Sequence, residues 1–205
     1  METMYIGSGD VHSLMMGKDT DGFAKLLQRF VSGVKPHYNA KGSPIDALRT
    51  GSILEDRYLL VLPENYYTQY RVESKEMDVF KCSLDFAKIE NGIIVDFDEL
   101  KTCNFVPDFL EFESLKDNYD EAIKYIKKYY KPNYYQVQQQ LFCTGLESAN
   151  LVFLAVYSYN DAENEMREIK ANEYIKFRIY RNEAVISEIK ERGKFFQTIR
   201  DYFTK

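Results

Sequence analysis

The stretch that most constrains this chain runs from Gly92-Ile93-Ile94-Val95-Asp96-Phe97 into Asp98-Glu99-Leu100-Lys101. It reads as a turn feeding a β-strand, because a glycine opens a run rich in β-branched and aromatic residues. On a strand the side chains alternate between faces, so Glu99 and Lys101 project from one face and Asp96 and Asp98 from the other. Charge on both faces is awkward for a central strand. A bulge near Phe97 would relieve it, and bulges are common beside functional sites. Cys82-Ser83-Leu84-Asp85 precedes this stretch on the other arm of the expected hairpin, which would bring Asp85 toward Glu99.

The remaining elements follow from periodicity. Helices are expected near 10–16, with Asp10 as N-cap, and near 20–33, where Phe23, Leu26, Leu27, Phe30 and Val31 form one stripe. A third is expected near 44–62, opened by Pro44, with Ile45, Leu48, Leu59 and Leu60 facing the core and Pro63 ending it. Tyr70–Val72, Asp78–Phe86 and Gly92–Lys101 read as strands. Helices near 117–130 and 133–145 follow, separated by Pro132 and closed by Gly145. Leu151–Tyr159 is a continuous apolar run, a buried strand. Tyr174–Tyr180 alternates as an edge strand, and a last helix spans about 182–203. This order suits an α/β (α+β) chain with a mixed central sheet flanked by helices.

At 205 residues with 45% hydrophobic content, the chain fits one compact domain, 1–205, and no internal repeat or linker divides it. Three scattered cysteines, Cys82, Cys103 and Cys143, argue against a disulfide framework, a zinc site or an iron–sulfur cluster, and favour a reducing cytoplasm. No apolar run approaches the ~20 residues that span a bilayer, and Met1-Glu2-Thr3-Met4 does not open like a signal peptide. The net charge of −5 is opposite to what a phosphate-binding surface needs. Candidate basic clusters are Lys124, Lys127, Lys128 and Lys131, and Lys190, Arg192 and Lys194, although both read more simply as solvated helix faces.

An aspartate followed by Glu-x-Lys at a strand end is a spacing from which metal-dependent nucleases build active sites. Asp85 and Glu99 would hold Mg²⁺, with Mn²⁺ as substitute, and the backbone carbonyl of Leu100 would complete the protein's ligands, since this ion prefers oxygen and retains waters. Lys101, its pKa lowered beside a divalent cation, would orient and help deprotonate the attacking water. Taken alone, the same residues also fit a solvated hairpin with an exposed Glu and Lys.

Further segments resemble the lambda exonuclease (YqaJ-like viral recombinase) family of PD-(D/E)xK nucleases. They are Ile6-Gly7-Ser8-Gly9-Asp10-Val11-His12, Asn39-Ala40-Lys41 with Gly51-Ser52-Ile53-Leu54-Glu55-Asp56, Ser83-Leu84-Asp85, Glu99-Leu100-Lys101, and Tyr135-Gln136-Val137-Gln138 with Leu141 and Thr144-Gly145. The resemblance runs from about residue 6 to residue 160 and implies a restriction-endonuclease-like nuclease core. It also implies a role for Glu55 at the metal, directly or through water, although Glu55 equally fits a surface carboxylate paired with a nearby cation. Gln136 would position water or phosphate. Gln138, two residues on, cannot aim at the same point and would face DNA or pack. Ser83 matches a phosphate-contacting serine. The family's N-terminal serine falls at Gly9 and its arginine has no counterpart, which leaves Ser8, Lys18 and Ser83 as phosphate donors. His12 matches in sequence but suits a structural role. The tyrosine pairs Tyr66-Tyr67, Tyr129-Tyr130 and Tyr134-Tyr135 fit stacking on unpaired bases or packing. The activity implied is Mg²⁺-dependent exonucleolytic hydrolysis of linear double-stranded DNA, 5′→3′, in phage-type recombination. Its setting would be the cytoplasm of a bacterial host, as a homotrimer acting on duplex ends beside a single-strand-annealing protein. The alternatives are a related endonuclease or single-strand nuclease, and a non-catalytic DNA-binding protein on the same fold.

Overall fold

The hairpin that dominates the sequence is also the centre of the fold. This computed structural model describes residues 4–33 and 45–204, the side chains of Ile45 and Asp46 excepted. The expected opening at Ser43-Pro44, the segment Asn39-Ala40-Lys41 and the inward Ile45 lie outside the described residues. Strands β1 (Tyr66–Glu73), β2 (Lys81–Glu90), β3 (Ile93–Asn104), β4 (Ser148–Val156) and β5 (Tyr174–Tyr180) form one sheet in the order β1-β2-β3-β4-β5. Only the β3–β4 pair is parallel. A parallel pair needs a long crossover, and helices α4 (Leu110–Leu115), α5 (Tyr119–Tyr129) and α6 (Lys131–Thr144) supply it. The other described α-helices are α1 (Val11–Met15), α2 (Asp21–Ser32), α3 (Ile45–Leu59), α7 (Asp161–Met166) and α8 (Glu183–Thr204), with short helical turns at Ser8–Asp10 and Phe105–Phe109.

The β2–β3 turn is the two-residue Asn91-Gly92, with φ of 51° and 76°, values that suit Asn and Gly and match the twist of a hairpin. Helix α2 is capped as its sequence requires. Thr20 Oγ1 accepts from Phe23 N, Gly33 closes the helix at φ 67°, and Phe23, Leu26 and Phe30 turn inward.

The two faces of the sheet carry separate cores. Leu84, Phe97, Leu151, Phe153 and Phe177 pack with residues of α1, α2, α6 and α8, while Phe86, Leu100, Val152 and Leu154 pack with Leu54 and Tyr58 of α3. Several expectations change here. Leu48 and Leu60 are exposed rather than core-facing, and Val31 is also largely outside. Pro132 lies in the first turn of α6, where its missing N–H costs nothing, rather than between two helices. Helix α4 had no strong periodic signal, yet its Phe112 is buried and stacks on Phe153 with ring centroids 3.7 Å apart.

The expected irregularity near Phe97 is present, at Val95 two residues before it, but it does not relieve the charge. The register shift falls between Lys88 and Ile89, opposite Val95, and Asp96 and Asp98 stay on the face away from Glu99. Cations on β5 solve the charge problem instead. Arg178 Nη1 donates to both Asp96 oxygens at 2.7 and 2.8 Å. Buried Asp98 accepts from Lys176 Nζ (2.6 Å), Asn150 Nδ2 (2.7 Å) and the Tyr58 hydroxyl (2.9 Å). A buried carboxylate is tolerable when its lone pairs are filled this way.

Gly193 of α8 lies against the buried ring of Phe80, and a Cβ there would overlap the ring's Cζ and Cε2. Alanine would gain about 1 kcal/mol of helix propensity, against about 1–3 kcal/mol for overpacking a core that cannot shift. Gly193→Ala should therefore lower the Tm by a few degrees in thermal denaturation. A raised Tm would show that Phe80 swings aside freely.

Candidate active site

Strands β2 and β3 stay paired only as far as Phe86 and Asp98, then splay. The backbone N–H of Leu100 loses its strand partner there, and Asp85 Oδ2 accepts it at 2.9 Å. That bond places Asp85 where the opening wedge meets β3. Glu99 projects from the next position with no exposure to water. Its Oε1 accepts from Lys101 Nζ (2.6 Å) and Gln136 Nε2 (2.5 Å), and its Oε2 from Gln140 Nε2 (2.5 Å). The structure thus brings together Asp85, Glu99, Lys101 and Gln136 as the sequence anticipates. Gln140 was not anticipated, although it stands one helical turn beyond Gln136 and so shares its face.

The buried Gln138-Gln139-Gln140 run explains the position of α6. Gln138 Nε2 donates to Tyr180 O (2.9 Å), and its Oε1 accepts from Asn182 N (2.8 Å). Gln139 Nε2 donates to Ile6 O (3.0 Å), and Gln140 Nε2 also reaches Ser83 O (3.1 Å). Gln138 therefore packs and does not face DNA. A buried amide left unpaired costs about 1–3 kcal/mol, so these bonds fix the rotation of α6 and with it the aim of Gln136 and Gln140.

The electrostatics are those of carboxylates crowded in a poorly hydrated place. Burial, then the Glu99 charge, pushes Asp85 up to about 8, with Lys101 opposing. Burial also raises the half-buried Glu55, Lys101 opposes this, and Glu99 adds to it. Burial works to lower Lys101, but the Glu99 and Asp85 charges hold it above its ordinary value. The expected lowering of Lys101 thus belongs to a cation-loaded site, where a divalent charge would reverse the local balance. Glu55 on α3 feels all three groups, and Gln69 Nε2 donates to its Oε2 at 3.4 Å.

The donors are all oxygen: Asp85, Glu99 and the Leu100 carbonyl, with Glu55 nearby. That chemistry fits a hard divalent cation such as Mg²⁺, and the crowding of acids is a deficit of positive charge which such an ion would relieve. Among the described residues no group of three His, Cys, Asp or Glu side chains is arranged to hold a metal by itself. The donor set therefore suits an ion held by few carboxylates and several waters. Gln140 Oε1, buried with no partner among the described residues, is an acceptor available to such a water.

The proposed phosphate donors are dispersed. Ser83 Oγ donates to Gln69 Oε1 at 3.0 Å, beside the wedge. Ser8 is buried in the turn ahead of α1, while Lys18 is exposed near the Phe195 ring, 5.7 Å from its centroid. His12 stacks on Tyr135 at 6.3 Å and buries Nδ1 without a hydrogen bond among the described residues. Gln69 was missed altogether. It bridges Glu55 and Ser83 from mid-strand with φ 49°, a left-handed conformation costing about 1–2 kcal/mol for a residue with a Cβ. Such strain concentrates at functional sites, but nothing in the local sequence announces it.

The elevated Asp85 gives a stability test with a definite sign. Its folded pKa lies above the unfolded value, so its ionisation penalises the folded state increasingly as pH rises from about 4 toward 8. Asn keeps the oxygen that accepts Leu100 N. In EDTA, Asp85→Asn should melt above the parent protein at pH 8, with the gap closing as pH falls toward 4. A gap that is absent at pH 8, or that widens on acidification, would contradict the crowded-carboxylate account.

No family model matches the chain, and no curated protein does. Solved structures do. An alkaline exonuclease from Laribacter hongkongensis superposes with TM-score 0.62 at 18% identity, covering 98% of this chain and 89% of its own. The same exonuclease in complex with dAMP gives 0.61 at 19% identity, covering 98% and 89%. A phage-related exonuclease from Haemophilus somnus 129PT gives 0.59 at 14% identity, covering 98% and 97%. Near-complete coverage in both directions means that the likeness extends over the whole chain and not over a fragment of it. The chain has the α/β fold of these alkaline and phage-related exonucleases.

Proposed function

We propose that this protein is a Mg²⁺-dependent DNA exonuclease of the lambda exonuclease type, hydrolysing phosphodiester bonds at the ends of linear double-stranded DNA. The observation that carries the reading is the buried Glu99 carboxylate, gripped by Lys101, Gln136 and Gln140 beside Asp85 at the open end of the β2–β3 wedge. Asp98 on the opposite face is equally buried with three donors, but only at Glu99 do further acids, Asp85 and Glu55, crowd beside the carboxylate together with Lys101.

Asp85, Glu99 and the Leu100 carbonyl would hold the ion, and Glu55 would reach it through water. The ion, when bound, supplies Lewis-acid polarisation of the phosphate and charge neutralisation as the pentavalent transition state forms. Lys101 is placed by its bond to Glu99 to orient the attacking water, and it would take up a proton only as the neutral amine that a bound divalent charge favours. Gln136 shares Glu99 Oε1 with Lys101, so it fixes the carboxylate's rotation and leaves its second amide hydrogen for water or phosphate. Ser83 and Gln69, bonded to each other at the wedge, are suited to a DNA phosphate, and Ser8 and Lys18 stand further off as additional donors.

The 5′→3′ direction, a homotrimer, a single-strand-annealing partner and action in the bacterial cytoplasm rest on the family resemblance. The exonuclease neighbour solved with dAMP adds to the exonucleolytic reading, because a deoxynucleoside monophosphate is the product such cleavage releases. No described helix is long and apolar enough to cross a membrane.

Linear duplex should be degraded with Mg²⁺ or Mn²⁺ but not with EDTA or Ca²⁺, since Ca²⁺ takes looser and higher coordination. Lys101→Ala should lower the single-turnover rate by about 10²–10⁴-fold, the usual range for a positioned acid–base, with DNA affinity within a few-fold. Digestion in EDTA, or a Lys101→Ala rate above about a tenth of the parent's, would remove this assignment.

A further inference from the structure

The basic cluster on α5 and α6 is exposed to solvent, but part of it is ordered against aromatic rings. Lys124 is tied to Glu121 at 2.6 Å, but Lys127, Lys128 and Lys131 each sit over a tyrosine ring, at 5.1 Å from Tyr134, 4.6 Å from Tyr129 and 5.5 Å from Tyr135. None of these three lysines has a carboxylate partner among the described residues. A lysine held over a ring by cation–π attraction keeps its charge unneutralised and its position defined.

These pairs connect two places. At one end Tyr135 precedes Gln136, whose amide holds Glu99. The Tyr135 ring lies 6.3 Å from that of Tyr134, and Tyr134 with its Lys127 lines a cavity of about 410 Å³ between α5 and the end of β5. Tyr119 and Tyr180 line the same cavity edge-to-face, 6.0 Å apart and 42% and 59% exposed. Arg181 lines it as well, its guanidinium held by Leu141 O at 2.9 Å and by Glu183. Arg181 Nη2 makes no hydrogen bond to a described residue. Asp120 also lines the cavity, against the cations Lys124, Lys127 and Arg181.

We infer that this strip and cavity form a binding site for an unpaired DNA strand, running from the catalytic wedge along the first turn of α6 to the Tyr119–Tyr180 pair. The inference rests on the nuclease reading and goes beyond it by assigning a second nucleic-acid surface. The exposed rings of Tyr119, Tyr129 and Tyr180 take bases of any identity, the buried Tyr134 serves to position Lys127, and the lysines and a guanidinium take the phosphates. A lone nucleotide would need only the cavity. Two further cation–tyrosine pairs outside the cavity, Lys128 with Tyr129 and Lys131 with Tyr135, favour a polynucleotide. The site also answers the puzzle of an acidic chain on DNA, because the basic footprint is local and its Lys127, Lys128 and Lys131 have no carboxylate partner among the described residues.

The test is fluorescence anisotropy of a labelled oligo(dT) of about a dozen nucleotides, long enough for one such site, with the full chain in EDTA so that no turnover occurs. Tyr119→Ala with Tyr180→Ala should weaken binding about fivefold or more, and Tyr119→Phe with Tyr180→Phe, which keeps the rings, should restore it. Lys127→Ala with Lys131→Ala should reduce the slope of log affinity against log salt by about 1.4, the value for two single-strand phosphate contacts. Circular dichroism of each variant guards against a folding defect. Unchanged affinity in the alanine variants, an unchanged salt slope, or displacement of the oligonucleotide by dTMP at equal concentration would overturn the site. Retained duplex digestion with unaltered oligonucleotide binding in the variants would sink this inference alone. Variant-sensitive binding without any digestion by the parent protein would sink the nuclease reading alone.

Discussion

Glu99 carries a carboxylate out of contact with water, and the arrangement around β3 answers the cost of putting it there. An ion without partners in a protein interior is destabilising by several kcal/mol, so donors must come from whatever packs on that face. Lys101 arrives from two residues along the same strand, and Gln136 and Gln140 from one face of α6. For α6 to present that face it must lie at one rotation across the sheet. Gln138 and Gln139 hold it there through the start of α8, the end of β5 and the N-terminal segment. Elements far apart in sequence are thus fixed by the requirement to satisfy one buried acid.

The opposite face of β3 repeats the device with another acid. Asp98 is buried beneath α3 and accepts from Tyr58, three residues beyond Glu55 on the same helix. Neighbouring positions on one strand therefore place both sides of the site. Glu99 orders the helix that brings the glutamines, and Asp98 anchors the helix that brings Glu55. The charges that alternate along β3 look like a conflict in sequence and work as two anchor points in the fold.

How much was legible follows from the range of each interaction. The Asp85/Glu99/Lys101 set could be read because it depends on strand period and one hairpin, both local. The sheet's strands and α2 were visible through periodicity and capping residues. The compensation of Asp96 and Asp98 by Arg178 and Lys176 was hidden, since β5 lies about 80 residues downstream and pairs with β3 only through β4. A local bulge was the natural expectation, and a distant cation was the outcome. Gln140 was within reach, because its i, i+4 relation to Gln136 is a sequence fact. Gln69 was not, because its left-handed backbone and its bridge from Glu55 to Ser83 exist only once α3 lies over β1 and β2. Leu48 misled because Leu54 and Tyr58 make the buried contact of α3, and Leu60 because the helix ends at Leu59, short of the expected Pro63 boundary.

The central claim is that the wedge holding Asp85 and Glu99 is a hydrolytic centre that acts on DNA ends. The most direct measurement compares one plasmid in covalently closed and linearised form, incubated with Mg²⁺ and either the parent protein or Glu99→Gln, with release of acid-soluble nucleotide followed over time. The account predicts steady release from the linear form, none from the closed circle, and loss of release in Glu99→Gln. Equal attack on both forms would make the protein an endonuclease, and undiminished release by Glu99→Gln would place the chemistry elsewhere in the molecule.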